Sequence, residues 1–178
     1  MKGELLENRI VVWNKQESRD LFANGYFGKP IGIPKPNVND INVPLILDLI
    51  EGCYLLKISK IKISKNGKNI SLNVLIKICR KEHHDFDKKF QVYKDFRDKG
   101  YVINPGIKFG CDFAVYQKGP GIDHAPYLVQ VYNKNDDISS TAVVLAGRLA
   151  SSVKKQFILA IPNGKDKIDY LALDWWRA

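Results

Sequence analysis

Cysteine is scarce in this chain of 178 residues. There are three, Cys53, Cys79 and Cys111, an odd number with no C-x-x-C pair. That excludes a disulfide framework and argues against a structural zinc site; buried thiols in a reducing, cytoplasmic setting are the expectation. Histidine is as rare, at His83, His84 and His124. There is no H-E-x-x-H, no P-loop and no repeated carboxylate pair at helical spacing, so no metal and no cofactor is expected. Gly119-Pro-Gly121 lacks the form of a dinucleotide fingerprint, because its proline fixes a turn and no helix is expected after it. Long apolar runs are also missing. Segments such as Val43-Pro-Leu-Ile-Leu47 fall far short of the ~20 residues that span a bilayer. Glu4 and Glu7 interrupt the first twelve residues, so no signal peptide is expected.

What is abundant is positive charge. Lys and Arg number 28 against 19 Asp and Glu, a formal charge of +9. Residues 1–80 hold 13 basic and 7 acidic groups, and residues 81–178 hold 15 and 12, so the excess is spread along the chain. Such a field suits a polyanion, nucleic acid above all, and equally suits a merely soluble basic surface. Hydrophobic residues make up 45% and charged residues 26%, the composition of a globular protein. A chain of this length buries about two-thirds of its unfolded surface and needs no staple to fold.

The periodicity predicts a strand or hairpin edge over 2–12, then a helix over Ser18-Arg-Asp-Leu-Phe-Ala-Asn-Gly25, capped by Ser18 and ended by Gly25 in the left-handed conformation. Glycines and prolines crowd residues 28–44 and predict a loop. Pro44 suits the first turn of a helix from Leu45 to about Leu56, with Asn42 as its cap. Ile58-Ser-Lys-Ile-Lys-Ile-Ser64 alternates as a half-exposed strand that turns at Asn66-Gly67 and returns. A helix starts at Leu72, and the polar run His83–Lys89 is the candidate boundary. It divides a small α/β domain, 1–82, from a second domain, 83–178. In the latter, a helix over Phe90–Lys99 precedes strands at Tyr101–Ile103, Asp112–Tyr116 and Pro126–Tyr132. Ser140 or Thr141 then caps a helix running to about Gln156. Strands at Phe157–Ile161 and Asp169–Leu173 flank an Asn163-Gly164 turn. The fold class is α/β (α+β), with a central mixed sheet flanked by helices in the second domain.

Three features carry chemistry. Arg148 and Lys155, seven residues apart on the expected helix, would share a face with Ser151 and Ser152 near them. That face suits an anionic ligand, or is simply a solvated basic face, the commoner outcome. His124, between a glycine-rich turn and an apolar strand, is a candidate proton donor; the spacing alone fits a histidine bonded to the turn better. Tyr116 shares a strand face with Asp112 and Ala114, opposite Phe113 and Val115. If Phe113 and Val115 enter the core, its hydroxyl faces outward near the turn, close to His124, or it is an amphipathic interface tyrosine. Tyr, His and Lys without acidic ligands point away from two-metal nuclease chemistry. They suit acid–base cleavage of RNA, in which the 2′-hydroxyl is the nucleophile.

Four blocks carry a resemblance. They are Tyr93-Lys-Asp-Phe-Arg-Asp-Lys-Gly-Tyr-Val-Ile103, Gly106-Ile-Lys-Phe-Gly-Cys-Asp-Phe-Ala-Val-Tyr116, Gly119-Pro-Gly-Ile-Asp-His-Ala-Pro-Tyr-Leu-Val129 and Gly147-Arg-Leu-Ala-Ser-Ser-Val-Lys-Lys155. In this order they resemble the catalytic domain of the archaeal tRNA-intron (splicing) endonucleases. Gly25-Tyr-Phe-Gly-Lys-Pro-Ile-Gly32 and Leu45-Ile-Leu-Asp-Leu-Ile-Glu-Gly-Cys-Tyr-Leu55 resemble, more loosely, the family's N-terminal α/β domain.

The resemblance implies a metal-independent endoribonuclease that cuts precursor tRNA at bulge–helix–bulge junctions, leaving 2′,3′-cyclic phosphate and 5′-hydroxyl ends. It implies Tyr116 as general base, His124 as general acid and Lys155 as the cation that steadies the phosphate. It implies RNA contacts from Arg148, Arg177 and Lys154, the two arginines sandwiching a bulge base. It also implies that Asp166 and Asp169 dock on a partner subunit. The triad implies a catalytic subunit, in a heterotetramer with two structural subunits or in a homotetramer; the Gly28–Pro44 loop and the Gly-Pro-Gly-Ile-Asp-His block favour the heterotetramer. Where the family often has His-Ser-Val-Arg-Lys, this chain has Ser151-Ser-Val-Lys-Lys155. A non-catalytic RNA-binding or assembly subunit is the alternative reading, disfavoured by the three residues together. A metal-dependent DNA nuclease would need clustered carboxylates.

Overall fold

The computed structural model describes residues 1–38, 41–122 and 124–173. They form two compact units, Met1–Phe86 and Asp87–Ala178.

In the first unit, β1 (Lys2–Leu6) and β2 (Arg9–Val12) form a hairpin over the span expected as a strand or hairpin edge. The helix that follows, α1 (Lys15–Ala23), begins three residues earlier than Ser18. Its cap is Asn14, whose side chain accepts the N–H groups of Gln16 and Glu17, both at 3.0 Å. Ser18 is instead buried, and its hydroxyl donates to Val12 O and Asn14 O. Gly25 sits at φ 147°, and Tyr26, at φ 54°, takes the left-handed position in its place.

The long loop contains the two-residue strand β3 (Lys29–Pro30). The helix expected from Leu45 starts later, because Leu45–Leu47 is strand β4 and α2 covers Leu49–Lys57. Asp48, not Asn42, is the cap. It forms a capping box with Glu51, whose carboxylate accepts the Asp48 N–H at 2.8 Å. Strands β5 (Lys62–Lys65) and β6 (Lys68–Ile70) precede α3 (Leu72–Glu82). The sheet runs β3-β4-β2-β1-β5-β6, with only the β1–β5 pairing parallel. Helix α2 lies so close to it that a Cβ on Gly52 would stand 2.1 Å from Ile10. Cys53 and Cys79 meet in this core with their sulfurs 3.4 Å apart.

Helix α4 (Phe86–Asp98) begins at the last residue of the first unit and leads into the second, which continues through β7 (Val102–Pro105), β8 (Phe113–Tyr116), β9 (Tyr127–Val131), α5 (Ser140–Ser152), β10 (Gln156–Pro162) and β11 (Ile168–Leu173). The sheet order is β11-β10-β9-β8-β7. Only β9 and β10 pair in parallel, and α5 is their crossover. Phe113 faces α4 and meets Tyr93 at a ring separation of 6.0 Å. Arg97, buried on α4, donates through Nε to Tyr93 Oη at 2.9 Å. On the other face, Ala114, Leu128, Ala150, Phe157 and Leu159 form a second core with Cys111 and Ala125. Burying side chains the size of Leu or Phe contributes about 1.5–3 kcal/mol each, so both faces are firmly covered. The mixed α/β class expected from the sequence is therefore the one observed.

Candidate active site

The turn after α5 differs most from expectation. The helix is capped by Ser139, which accepts the Ala142 N–H at 3.1 Å, rather than by Ser140 or Thr141. It ends at Ser152 instead of continuing to Gln156. Lys155 N–H returns to Ala150 O at 2.8 Å and Lys154 N–H to Ser151 O at 3.2 Å, the two bonds of a Schellman motif. Lys154 occupies the left-handed position at φ 53°, where glycine is usual. Arg148 and Lys155 thus share no helical stripe, and the Arg–Ser–Ser–Lys face does not form. Ser152 hydroxyl is spent on Leu149 O at 2.8 Å, and Arg148 stays exposed on α5.

Ending the helix there puts Lys155 at the mouth of β10, next to two other strand ends. In the β8–β9 ladder Val115 faces Tyr127, so one further step sets Tyr116 opposite Pro126. In the β9–β10 ladder Gln156 pairs with Tyr127, so Lys155 lies beside Pro126, and Gln156 N–H donates to Pro126 O at 2.8 Å. Neighbouring strands are ~4.8 Å apart, which separates the Tyr116 and Lys155 backbones by about 10 Å. Residues opposite one another in a ladder share a face. Both side chains therefore project on the α5 side, where Tyr116 and Phe109 pack against the second core.

Tyr116 accordingly does not face open solvent. Both faces of the sheet are covered, and the tyrosine is half-buried at the rim of the α5 side. Lys155 is half-buried as well. Its ammonium donates to Ala125 O at 2.5 Å and stands 5.6 Å from the centre of the Phe109 ring. Ala125 is buried, and its neighbour His124 is exposed in the segment leading into β9. The bond from Lys155 thus anchors the backbone one residue from the imidazole.

At the opposite end of β8, Asp112 locks the register. Its carboxylate pairs with Lys89 of α4 at 2.7 Å and accepts Gln130 Nε2 at 2.8 Å and Val131 N–H at 2.9 Å. Positive charge predominates on the α5 side of the site, since residues 138–165 contain Arg148, Lys154, Lys155 and Lys165 and no carboxylate, while Asp123 adjoins His124 in the sequence. An anion is the ligand such a rim favours. Among the described residues no group of three His, Cys, Asp or Glu is placed to hold a metal ion.

Phe109, the Ala125 carbonyl and Asp112 were not anticipated from the sequence. All three act through contacts with residues distant along the chain, for which local pattern carries no signal. Lys154 is exposed at its turn. Asp166 is exposed with φ 58° in the β10–β11 loop, and Asp169 accepts Asn163 Nδ2 at 3.0 Å. Arg177 lies outside the described residues. No helix among them is long and apolar enough to cross a membrane.

Comparison with known proteins shows the family. Residues 86–170 match the model of the tRNA intron endonuclease catalytic C-terminal domain, and residues 1–76 that of the N-terminal domain of the same family. A tRNA-splicing endonuclease of Sulfurisphaera tokodaii is 45% identical over 99% of both chains. Those of Hyperthermus butylicus and Sulfolobus acidocaldarius are 41% and 37% identical, over 98% and 99% of both chains respectively. With both domain types in order and such identity end to end, the chain belongs to the tRNA intron endonuclease family.

Proposed function

We propose that this chain is the catalytic subunit of a tRNA-splicing endonuclease. It cleaves precursor tRNA at bulge–helix–bulge junctions by metal-independent transesterification. The observation that carries this reading is the junction of strand ends, where Tyr116 and Lys155 share a face across Pro126 and Lys155 grips the backbone beside His124.

Tyr116, as phenolate, takes the proton of the 2′-hydroxyl at the cleavage site. The freed O2′ attacks the adjacent phosphorus, and the bond from phosphorus to O5′ breaks. His124, protonated, gives its proton to O5′. One strand then ends in a 2′,3′-cyclic phosphate and the other begins with a 5′-hydroxyl, with no water consumed. A phenol with an ordinary pKa near 10 is a poor base at neutral pH, so the step needs a cation beside it. Lys155 supplies that charge, and it also stabilises the extra charge on phosphorus oxygens in the transition state.

Arg148, exposed on α5, is assigned to stacking against a bulge base, with Arg177 as its partner and Lys154 on a phosphate. The chain is assigned to a heterotetramer of two catalytic and two structural subunits, with Asp166 and Asp169 at the contact between subunits. The test is cleavage of an end-labelled bulge–helix–bulge RNA in EDTA, with and without an added structural subunit. A cyclic-phosphate 3′ end is expected. Activity abolished by EDTA, or a free 3′-hydroxyl product, overturns the mechanism.

A further inference from the structure

The first unit carries a concentration of charge that the cleavage site does not use. Residues 52–81 hold eight Lys and Arg and not one Asp or Glu. The sheet then concentrates part of this charge. The parallel register of β1 and β5 sets Lys2 beside Lys62 on the outer face, and the antiparallel register of β5 and β6 sets Lys65 opposite Lys68 on the face of Ile63, where they flank the Asn66-Gly67 turn at the hairpin tip. All four lysines are exposed, and among the described residues none of them is in an ion pair. Like charges directly opposite one another weaken a sheet. An anion lying between them removes that repulsion.

The surroundings suit the same ligand. A shallow hollow of about 320 Å³ is lined by Lys2, Gly3, Lys62, Ser64, Gly67 and Asn69, which bring ammonium, hydroxyl and amide groups to one surface. Two carboxylates border this region, Glu4, in register with Ser64 and accepting Trp13 Nε1, and Glu17, accepting the Lys2 backbone N–H, both at 2.8 Å, so the four lysines outnumber them two to one. The apolar residues of β5 and its approach, Ile61 and Ile63, point into the core. A protein-docking surface is centred on apolar or aromatic side chains and depleted in lysine, whereas the hollow itself is lined by lysine, polar and glycine residues. Lysines placed along a strand as separate point charges match a phosphate backbone, which is contacted without regard to base sequence.

We propose that the β5–β6 hairpin, with Lys2 and Lys62 on its outer face and Lys65 and Lys68 at its tip, is a second RNA-binding surface, one that holds phosphates of the precursor tRNA; it rests on precursor tRNA being the substrate. The variant K62Q/K65Q/K68Q, in the full chain with any partner subunit it requires, tests it. Affinity for precursor tRNA is measured between 50 and 300 mM KCl, beside single-turnover cleavage at saturating enzyme. Each lost phosphate contact lowers the slope of log affinity against log salt by about 0.7–0.9. The expected result is a slope smaller by about 2–3 and binding weaker by about 10- to 100-fold at 150 mM, with cleavage at saturation unchanged. K2Q/K62Q, which changes the other lysine pair, is expected to lower the slope by about 1–2. Unchanged slopes in both variants overturn the proposal. So does a loss of assembly by light scattering with RNA affinity intact, which would make the face a protein contact. A parent chain that binds precursor tRNA with this salt dependence but never cuts it overturns the cleavage reading alone.

Discussion

Lys155→Met isolates the charge at the strand junction. Methionine keeps the unbranched stem and removes the ammonium, so packing around Phe109 and the second core changes little. Two contacts go with the charge. Ala125, buried, loses the donor to its carbonyl, at a cost of about 1–3 kcal/mol for an unsatisfied buried acceptor. The interaction with the Phe109 ring contributes about 0.5–1 kcal/mol more. A protein of this size shifts its melting temperature by roughly 2–4 °C per kcal/mol, so the variant should melt about 3–15 °C lower. Catalysis should fall further than stability alone explains, because one preorganised charge at a developing oxyanion is worth about 10²–10³ in kcat. The assay is single-turnover cleavage at saturating enzyme, run well below the variant's melting temperature, beside a thermal scan. Lys155→Arg, which retains the cation, should recover part of the rate. A folded Lys155→Met that cuts at the parent rate refutes the electrostatic role. If Arg and Met variants lose activity equally and only in step with melting, Lys155 serves solely to hold the Ala125 segment.

His124→Ala should lower cleavage by about 10²–10⁴-fold and leave RNA binding intact, since the imidazole is exposed and props up no core; equal cleavage removes it from the acid role. Lys154→Gly should stabilise the protein by about 1 kcal/mol, because glycine adopts the left-handed turn after α5 without the Cβ penalty; a lower melting temperature would show that turn to be unstrained. Cys111 thiol is pushed up from 9.0 to about 11, chiefly by burial and then by the charge of Asp112. The folded state therefore retains a proton that the unfolded chain releases. Stability from this group is full below pH 9 and declines as pH rises from about 9 to 11. Cys111→Ala should flatten that decline in a series of melts, and an unaltered profile would place its cause elsewhere.

Where a local rule had no competitor, the sequence was a sufficient guide. The Asn66-Gly67 hairpin follows from turn chemistry, and the strands expected at Asp112–Tyr116 and Phe157–Ile161 are observed as Phe113–Tyr116 and Gln156–Pro162. Where two local signals competed, geometry chose. Ser18 reads as a cap, yet Asn14, four residues earlier, reaches two N–H groups and leaves Ser18 for the core. Pro44 reads as a helix start, yet Leu45–Leu47 finds backbone partners in β2 and β3, and Asp48 with Glu51 starts the helix beyond them.

The candidate site divides in the same way. Tyr116, His124, Lys155 and Arg148 were singled out from residue type and turn position, and their blocks carry the family resemblance. The expected link between Arg148 and Lys155, a common helical face, was wrong. No glycine marks the end of α5; the Schellman turn forms with a lysine in the strained position because the chain must enter β10 beside β9. Chemical identity is written residue by residue, so the kinds of group available and the charge of the rim were legible in the sequence. Which groups meet depends on strand order and register, which bring together positions 30 to 46 residues apart. That is why the Lys155 contacts with Ala125 and Phe109, and the shared face of Tyr116 and Lys155, were decided by the tertiary structure.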